Sequence, residues 1–170
     1  MSTTSGLLKA QYTFVHGFVM MIVGDLNQEV AHVQPPGNVA RIAPIMAHML
    51  GAEDFFVNTL VAGKPTLMES GGWSAKCAMP AGRPMMSPEF AATTFDVDGL
   101  KGYAQAMFAE VEAYLGSASE AELEKLIDTP FGSKQPAAEF LSGLAIAHVT
   151  AHAGEIAALK GVQGLKGLPF

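Results

Sequence analysis

The first long run of apolar residues predicts a helix from about Gly6 to Ala31. Between Phe14 and Leu26 apolar residues occupy almost every face, which in a small protein indicates burial on more than one side. A contact with a second copy of the chain would explain the outer face, so we expect a homodimer with twice the monomer mass in light scattering. The most apolar stretch, Phe14 to Val23, is about ten residues long where a spanning helix needs about 20, so it predicts a core helix and no membrane contact.

A second helix is predicted from Asn38 to about Val61. Pro35-Pro36-Gly37 ends the preceding segment, and Asn38 is a suitable N-cap. A proline inside a helix loses a hydrogen bond, so the helix either kinks at Pro44 or starts there. Both alternatives leave His48 on the helix, in a stripe of otherwise mostly apolar residues: Ile45, Ala52, Phe55 and Thr59.

Two more long helices and a short one are predicted in the second half of the chain. The third long helix spans about Val97 to Leu115. A capping-box spacing at Ser119 predicts a short helix, Glu120 to Ile127. Thr129–Gly132 is a turn, and the last helix runs from about Pro136 to Leu159, because proline suits the first helical position.

The segment between the second and third long helices differs in composition. Gly63 to Phe95 is rich in Gly, Pro, Met and Ser, and neither a helical nor a strand period is visible. A structureless connection of this length is usually functional, or it carries the chain along a whole bundle. Trp73, Met79, Met85 and Met86 make it a candidate lid over a site in the bundle, and a loosely packed loop is the alternative.

No alternating run of apolar and polar residues long enough for a strand occurs outside that crossover. The fold class predicted is therefore all-α, a four-helix bundle with a long crossover between helices 2 and 3. A chain of 170 residues suits one domain, so we expect residues 1–170 to form a single bundle domain.

Charge and cysteine content narrow the functional classes. Ten Lys and Arg against sixteen Asp and Glu give a net charge of −6, the wrong sign for a nucleic-acid-binding surface. Cys77 is the single cysteine, so it cannot form an internal disulfide, and no base is recognisable beside it to support a nucleophilic role. The N-terminus lacks the basic residues of a secretory signal. We therefore expect a cytoplasmic protein.

Three of the five histidines fall on inward stripes. His148 and His152 lie four residues apart on the last helix, so they project from one face at neighbouring heights. Burying a polar group without a partner costs about 1–3 kcal/mol, and a shared metal ion would explain two such rings. His48 on an opposing helix would complete a triangle with an open coordination position, as in catalytic metal sites. Ordinary hydrogen-bonded histidines are the alternative.

The two remaining histidines and the acidic residues after His48 are not expected to belong to the metal site. His16 is interpreted as a hydrogen-bonded core residue in preference to a residue lining the same cavity. His32 ends an ExxH pattern that begins at Glu29, but a di-iron centre needs two such copies and two further glutamates, which are missing. His32 is therefore expected to be solvated at a helix end. Glu53 and Asp54 are expected to point away from the predicted metal site and receive no role.

Two segments carry a resemblance to a known family. His48 in AHMLGAEDFF and the segment HVTAHAGEIAALKG, which begins at His148, resemble the DinB-like family, also called DinB/YfiT-like. The resemblance covers nearly the whole chain, including the helix order, the long second connection and the short helix before the fourth. It implies an up-down-down-up four-helix bundle, often dimeric, in which His48, His148 and His152 hold a divalent ion, commonly zinc or nickel.

The resemblance also implies a class of chemistry. Relatives include bacillithiol S-transferases and mycothiol-dependent maleylpyruvate isomerase, so we expect a metal-dependent enzyme that transfers or uses a low-molecular-weight thiol, with a small-molecule substrate. A bound divalent ion lowers the pKa of a thiol or of water. Glu155, one turn beyond His152, would hold that ring's second nitrogen, unless it is an ordinary surface glutamate. Candidate partners for an acidic thiol are Arg41, Lys64, Lys76 and Arg83.

Two other functions stay open from the sequence. One is a non-catalytic stress-response or ligand-binding protein in which the metal is structural or absent. The other is a metal-dependent hydrolase, whose activity would be independent of thiols. The sequence identifies no catalytic residue. It does not determine the metal either, because three imidazoles suit zinc, nickel, cobalt or iron.

Overall fold

The computed structural model describes residues 3–80, 87–168 and 170, and the fold is mostly helical, at 68%. Two π-helical segments, π1 and π2, interrupt or extend the α-helices. The elements in chain order are α1 (Thr4–Val23), α2 (Gln28–His32), α3 (Ile42–Asp54), π1 (Phe55–Val61), α4 (Leu67–Ser70), α5 (Trp73–Lys76), α6 (Pro88–Ala91), α7 (Val97–Ser117), α8 (Glu120–Glu124), β1 (Leu126–Asp128), β2 (Lys134–Pro136), α9 (Ala137–Phe140), π2 (Leu141–Ala145) and α10 (Ile146–Val162).

The long helices pack around one apolar core. α1 contacts α7 and α10, and α3 contacts the same two helices. Each of the four contributes fully buried side chains, such as Tyr12, Leu50, Tyr103 and Val149. Because α3 and α10 are neighbours, the residues on their facing sides can meet inside the fold.

The first predicted helix is two helices, so the prediction of one helix from Gly6 to Ala31 is wrong. α1 ends at Val23, and the Asn27 side chain accepts a hydrogen bond from the Val30 amide to begin α2. The buried Lys160 ammonium donates to the Ile22 carbonyl at 2.7 Å and also contacts Asp25. This contact from α10 satisfies a carbonyl that the end of α1 would otherwise leave unpaired.

α1 retains a markedly apolar outer face. Leu7, Phe14 and Met21, spaced seven residues apart, are 56%, 75% and 59% exposed. Among the described residues, α1 is the one helix whose length and composition would suffice to cross a membrane, and 39% of its most apolar window is buried. The apolar stretch is thus longer than the ten residues counted from the sequence, although core helices pass the same test.

The second long helix begins at neither of the two predicted positions. α3 starts at Ile42 with Arg41 as its N-cap residue, so Pro44 is the third residue of the first turn. Amides of the first turn have no carbonyl partner within the helix, so the proline loses no hydrogen bond there and the helix does not need to kink. After Asp54 the helix widens into π1, which continues to Val61.

A small antiparallel hairpin corrects the prediction that strands are absent. α8 ends at Glu124, three residues before the predicted Ile127, and β1 then pairs with β2 from Leu126↔Pro136 to Asp128↔Lys134. Strands of three residues are too short to show an alternating pattern in a sequence. The predicted capping box of α8 and the turn at Thr129–Gly132 are both present, and Gly132 has a φ of +78°.

The crossover is packed, contrary to the expectation of a structureless connection. Three one-turn helices, α4, α5 and α6, lie within its described part. A Cβ on Gly99 would lie 2.1 Å from the Lys76 carbonyl oxygen, so the end of α5 sits directly on α7. Cys77 is fully buried, which raises the pKa of its thiol to about 11 and disfavours a nucleophilic thiolate. Arg83, Met85 and Met86 lie outside the described residues.

Candidate metal centre

His48 on α3 faces His148 and His152 on α10. One ring nitrogen from each histidine lies within 4.8 Å of the others, and the Nε2 atoms of His48 and His148 are 3.0 Å apart. The ring centroids are 4.5–4.9 Å apart, and all three side chains are partly buried. The structure therefore brings together the three histidines singled out in the sequence, as a group that could hold a metal ion.

Glu155 orients one ring of the group. Its Oε2 atom lies 2.9 Å from Nδ1 of His152, so Nε2 is the nitrogen of that ring that this contact leaves free. The predicted contact between Glu155 and His152 is thus present. The Nδ1 atoms of His48 and His148 are buried and have no hydrogen-bond partner among the described residues.

The environment keeps two of the imidazoles neutral. Burial, together with the neighbouring histidine charges, lowers the pKa of His148 to about 4. Burial and the charge of His152 lower the pKa of His48 as well. A neutral imidazole has a free lone pair, and this is the form in which histidine binds a metal.

The donor set fits a divalent ion. Two nitrogens bound at 2.0–2.1 Å in a tetrahedral arrangement lie about 3.3 Å apart. The 3.0 Å separation of Nε2 in His48 and Nε2 in His148 is close to that value, and it is equally suited to a hydrogen bond between the rings. Three imidazole ligands would leave at least one coordination position for a water or a substrate atom.

A cavity of about 920 Å³ opens beside His48 and His148. Its other described lining residues come from the end of α3, π1, the hairpin turn, π2 and the start of α10: Ala52, Phe55, Phe56, Pro130, Phe131, Gly143, Leu144 and Ala147. The two π-helical segments contact each other and both contribute wall residues. Such segments are often found at functional sites, because the wider turn displaces side chains from the regular helical register.

The hairpin turn takes the place predicted for the crossover. Neither Trp73 nor Met79 lines the cavity; the Trp73 ring packs 6.0 Å from Tyr103 on α7. Trp73 and Met79, the described part of the predicted lid, therefore do not cover the cavity, and Met85 and Met86 lie outside the described residues. Pro130 and Phe131 were recognised in the sequence as parts of a turn, but no pattern in the sequence placed that turn next to the histidines.

The two remaining histidines are hydrogen-bonded within the fold. His16 is buried and contacts Glu53 through Nε2 at 2.6 Å and Glu112 through Nδ1 at 2.8 Å, which confirms the interpretation as a core residue with partners. His32 is half-buried; its Nδ1 lies 2.8 Å from the Gln28 carbonyl and its Nε2 accepts from the Phe95 amide. His32 does lie at the end of a helix, as predicted, but both of its ring nitrogens are hydrogen-bonded within the fold, so the prediction of a solvated ring is wrong.

Two acids that received no role prove to be fully buried. Glu53 contacts His16, and the Asp54 carboxylate accepts hydrogen bonds from four groups: the Asn58 side chain, the Leu67 and Met68 amides and the Tyr103 hydroxyl. Both side chains belong to hydrogen-bond networks away from the histidine group. The sequence-based expectation that they point away from the metal site is therefore confirmed. Their position between Leu50 and Phe56, on a helix that is apolar on most faces, was the available signal of burial.

The network around His16 predicts that stability falls at alkaline pH. Burial lowers the pKa of His16, but the hydrogen bonds and charges of Glu53 and Glu112 outweigh burial and raise it above 6.5. The stabilisation is therefore complete below pH 6.5 and is lost as the pH rises through the folded-state pKa. We expect the free energy of unfolding of the wild type to decrease above pH 6.5, measured by urea unfolding.

A matched variant isolates this effect. In His16→Gln the decrease between pH 6.5 and 9 should be smaller than in the wild type, since this titrating group has been removed; the remainder near pH 9 comes from the buried Cys77 thiol, whose pKa is raised to about 11. His48 and His148, whose pKa values are lowered, are neutral throughout that range, and Tyr12, which packs edge-on against His16, has a pKa raised well above 10. Equal slopes in the two proteins would contradict the assignment.

Comparisons with known proteins agree with this architecture. A sequence model described as the DinB superfamily matches residues 14–156, a range that contains the three histidines and Glu155. No curated protein sequence matches the chain.

Two solved structures share the fold at low sequence identity. A conserved protein from Enterococcus faecalis superimposes with a TM-score of 0.79 at 19% identity, over 95% of this chain and 98% of that chain. A mycothiol-dependent maleylpyruvate isomerase superimposes with a TM-score of 0.60 at 15% identity, over 89% of this chain and 62% of the isomerase. At these identities the likeness demonstrates a shared fold alone.

Proposed function

We propose that this chain, which belongs to the DinB superfamily, is a metal-dependent enzyme that transfers or uses a low-molecular-weight thiol. The observation that carries the proposal is the meeting of three histidine nitrogens beside a cavity large enough for a small molecule. The use of a thiol is supported by the structural likeness to an isomerase that depends on mycothiol. The dependence on mycothiol is a property of that isomerase, which is 15% identical to this chain.

The proposed roles fall to the three histidines, Glu155 and the aromatic residues of the cavity. His48, His148 and His152 would hold the ion, preferably zinc or nickel, and Glu155 would fix the orientation of the His152 ring. When bound, the ion supplies a Lewis acid that lowers the pKa of a thiol, so that the sulfur is a nucleophile at neutral pH. Phe55, Phe56 and Phe131 exclude water from the reacting groups and position the acceptor molecule.

Metal content and thiol dependence together test this function. Protein purified without an affinity tag should contain about one divalent ion per chain by elemental analysis. Consumption of an electrophile such as 1-chloro-2,4-dinitrobenzene should then require an added thiol: the thiol sulfur bonds to the ring carbon, chloride leaves with the bonding electrons and the thiol proton passes to solvent.

Each alternative has a distinct outcome in the same experiment. Turnover of an ester without any thiol would identify a hydrolase and contradict the thiol proposal. Stoichiometric metal with four fixed ligands and no exchangeable water, by X-ray absorption spectroscopy, would favour a non-catalytic protein with a structural metal. No stoichiometric metal would remove the basis of the enzyme proposal.

The helix order, the cellular location and the oligomeric state of the protein are also proposed. We propose that residues 1–170 form one domain whose long helices follow the up-down-down-up order, in a cytoplasmic protein without nucleic-acid or membrane partners. We also propose a homodimer through the outer face of α1, supported by the exposed Leu7, Phe14 and Met21. Light scattering at the monomer mass would contradict the dimer.

A further inference from the structure

The cavity beside the histidines has an apolar wall. Of its described lining residues, His48 and His148 are the polar ones, and the others are aliphatic, aromatic, glycine or proline. Its volume of about 920 Å³ lies within the range of about 300–1,000 Å³ found for small-molecule sites. Phe56 stands edge-on to the His148 ring at 5.6 Å, so the aromatic wall reaches the histidine group itself.

The basic side chains that could bind an anion make contacts outside the cavity. Arg41 donates to two carbonyls of the crossover, at 2.7 and 3.0 Å. Lys64 lies over the Tyr114 ring and Lys76 over the Trp73 ring. None of these three lines the cavity. A carboxylate placed against the apolar wall, away from the histidine group, would lose hydration without gaining a charged partner among the described residues, which is strongly unfavourable.

Phe131 occupies an unusual position for a large apolar side chain. It is 74% exposed at the tip of the hairpin, where a polar residue would be expected. The turn that carries it is fixed, because Thr129 and Ser133 are joined by a backbone hydrogen bond of 2.8 Å and by their hydroxyls. The ring therefore stands at the rim of the cavity on a well-held support, together with Phe55, which is 37% exposed.

We propose that this cavity binds an uncharged, apolar group of a small-molecule substrate, aromatic or branched aliphatic, with Phe131 as the rim residue that determines its affinity. This inference rests on the proposed function in that it assigns the cavity to the acceptor molecule of the same site. An aromatic group would contact the rings of Phe55, Phe56 and Phe131, and its reacting end would face His48 and His148.

Two dyes with the same ring system test the inference directly. N-phenyl-1-naphthylamine is uncharged, and 1-anilinonaphthalene-8-sulfonate adds one sulfonate to it; both become fluorescent in an apolar site. The full-length protein should bind the uncharged dye at least tenfold more tightly than the sulfonate. Binding should be measured with zinc-loaded protein and with protein treated with EDTA, because the cavity wall is expected to bind the dye in both.

Two pairs of variants locate the dye. Phe131→Ser should weaken binding of the uncharged dye about tenfold, as expected from the loss of an aromatic contact of about 1.4 kcal/mol. Gly143→Leu should weaken it further, because a Cβ at Gly143 meets nothing within 4 Å and the added side chain would fill the cavity. The controls are Val162→Ser, at 64% exposure at the end of α10, and Gly161→Leu, which also has open space around its Cβ.

The outcomes separate this inference from the proposed function. If both cavity variants bind the uncharged dye as the controls do, or if the sulfonate binds equally well, the inference is overturned even where zinc is bound. If the dye follows the expected pattern in a protein that binds no zinc, the inference holds and the proposed function fails. Circular dichroism of each variant would verify that it folds.

Discussion

His48→Ala is expected to reduce the affinity for a divalent ion at least about a hundredfold and to abolish thiol-dependent turnover. Four ligands of a structural zinc site share about 10–16 kcal/mol, so one ligand contributes about 3 kcal/mol, or about a hundredfold. The variant should still fold, because Nδ1 of His48 has no partner to lose and the one ring contact of Nε2, with His148 at 3.0 Å, lies at the cavity, where water can replace it. Competition with a fluorescent zinc chelator measures the affinity.

Graded variants distinguish a ligand from a neighbour. Glu155→Gln keeps an acceptor near Nδ1 of His152 but removes the charge, so it should weaken metal binding about 10–100-fold. His32→Gln removes a histidine that lies outside the group and should leave the affinity unchanged. If His48→Ala and His32→Gln bind zinc equally, the assignment of ligands is wrong.

The sequence predicted the long helices because their apolar stripes are many turns long. The helix Val97–Ser117 was placed within two residues of its observed end, and the cap at Ser119 was found from two residue types at fixed spacing. The division near Gly24 and the start at Ile42 were missed. The Asn27 cap of α2 was a local signal that went unused, whereas the contact of Lys160 with the end of α1 and those of Arg41 with the crossover are tertiary and leave no local pattern.

The histidine group was predictable for a different reason. An apolar face makes a polar interruption conspicuous, so His148 and His152 stood out together and His48 stood out on an opposing helix, and the family resemblance implied the same three residues. The cavity could not be predicted, because its wall combines an exposed turn residue, Phe131, with two π-helical segments. A π-helical register arises from packing and has no recognised signature in the hydrophobic period.

Asp54, unlike the histidines, is inconspicuous in the sequence, yet its carboxylate joins several elements of the fold. Its carboxylate accepts the Leu67 and Met68 amides at 2.9 Å, so it fixes the first turn of α4 against the end of α3. It also accepts from Asn58 at 2.7 Å and from the Tyr103 hydroxyl on α7. One side chain thereby joins α3, π1, the crossover and α7, next to the π1 residues that line the cavity.

Asp54→Ala is therefore expected to destabilise the protein by about 3–5 kcal/mol, since it leaves several buried donors without an acceptor at about 1–3 kcal/mol each. Asp54→Asn should be nearly as damaging, because its amide places two N–H groups among the donors that the carboxylate accepts. Asp128→Ala is the matched control: this aspartate is 81% exposed and its pair with Lys134, at 3.4 Å, is worth about 0–1 kcal/mol. Urea unfolding measures all three, and equal midpoints for Asp54→Ala and Asp128→Ala would contradict the network. Because π1 follows Asp54 directly, the loss should extend to weaker binding of the uncharged dye, whereas the control should bind it normally.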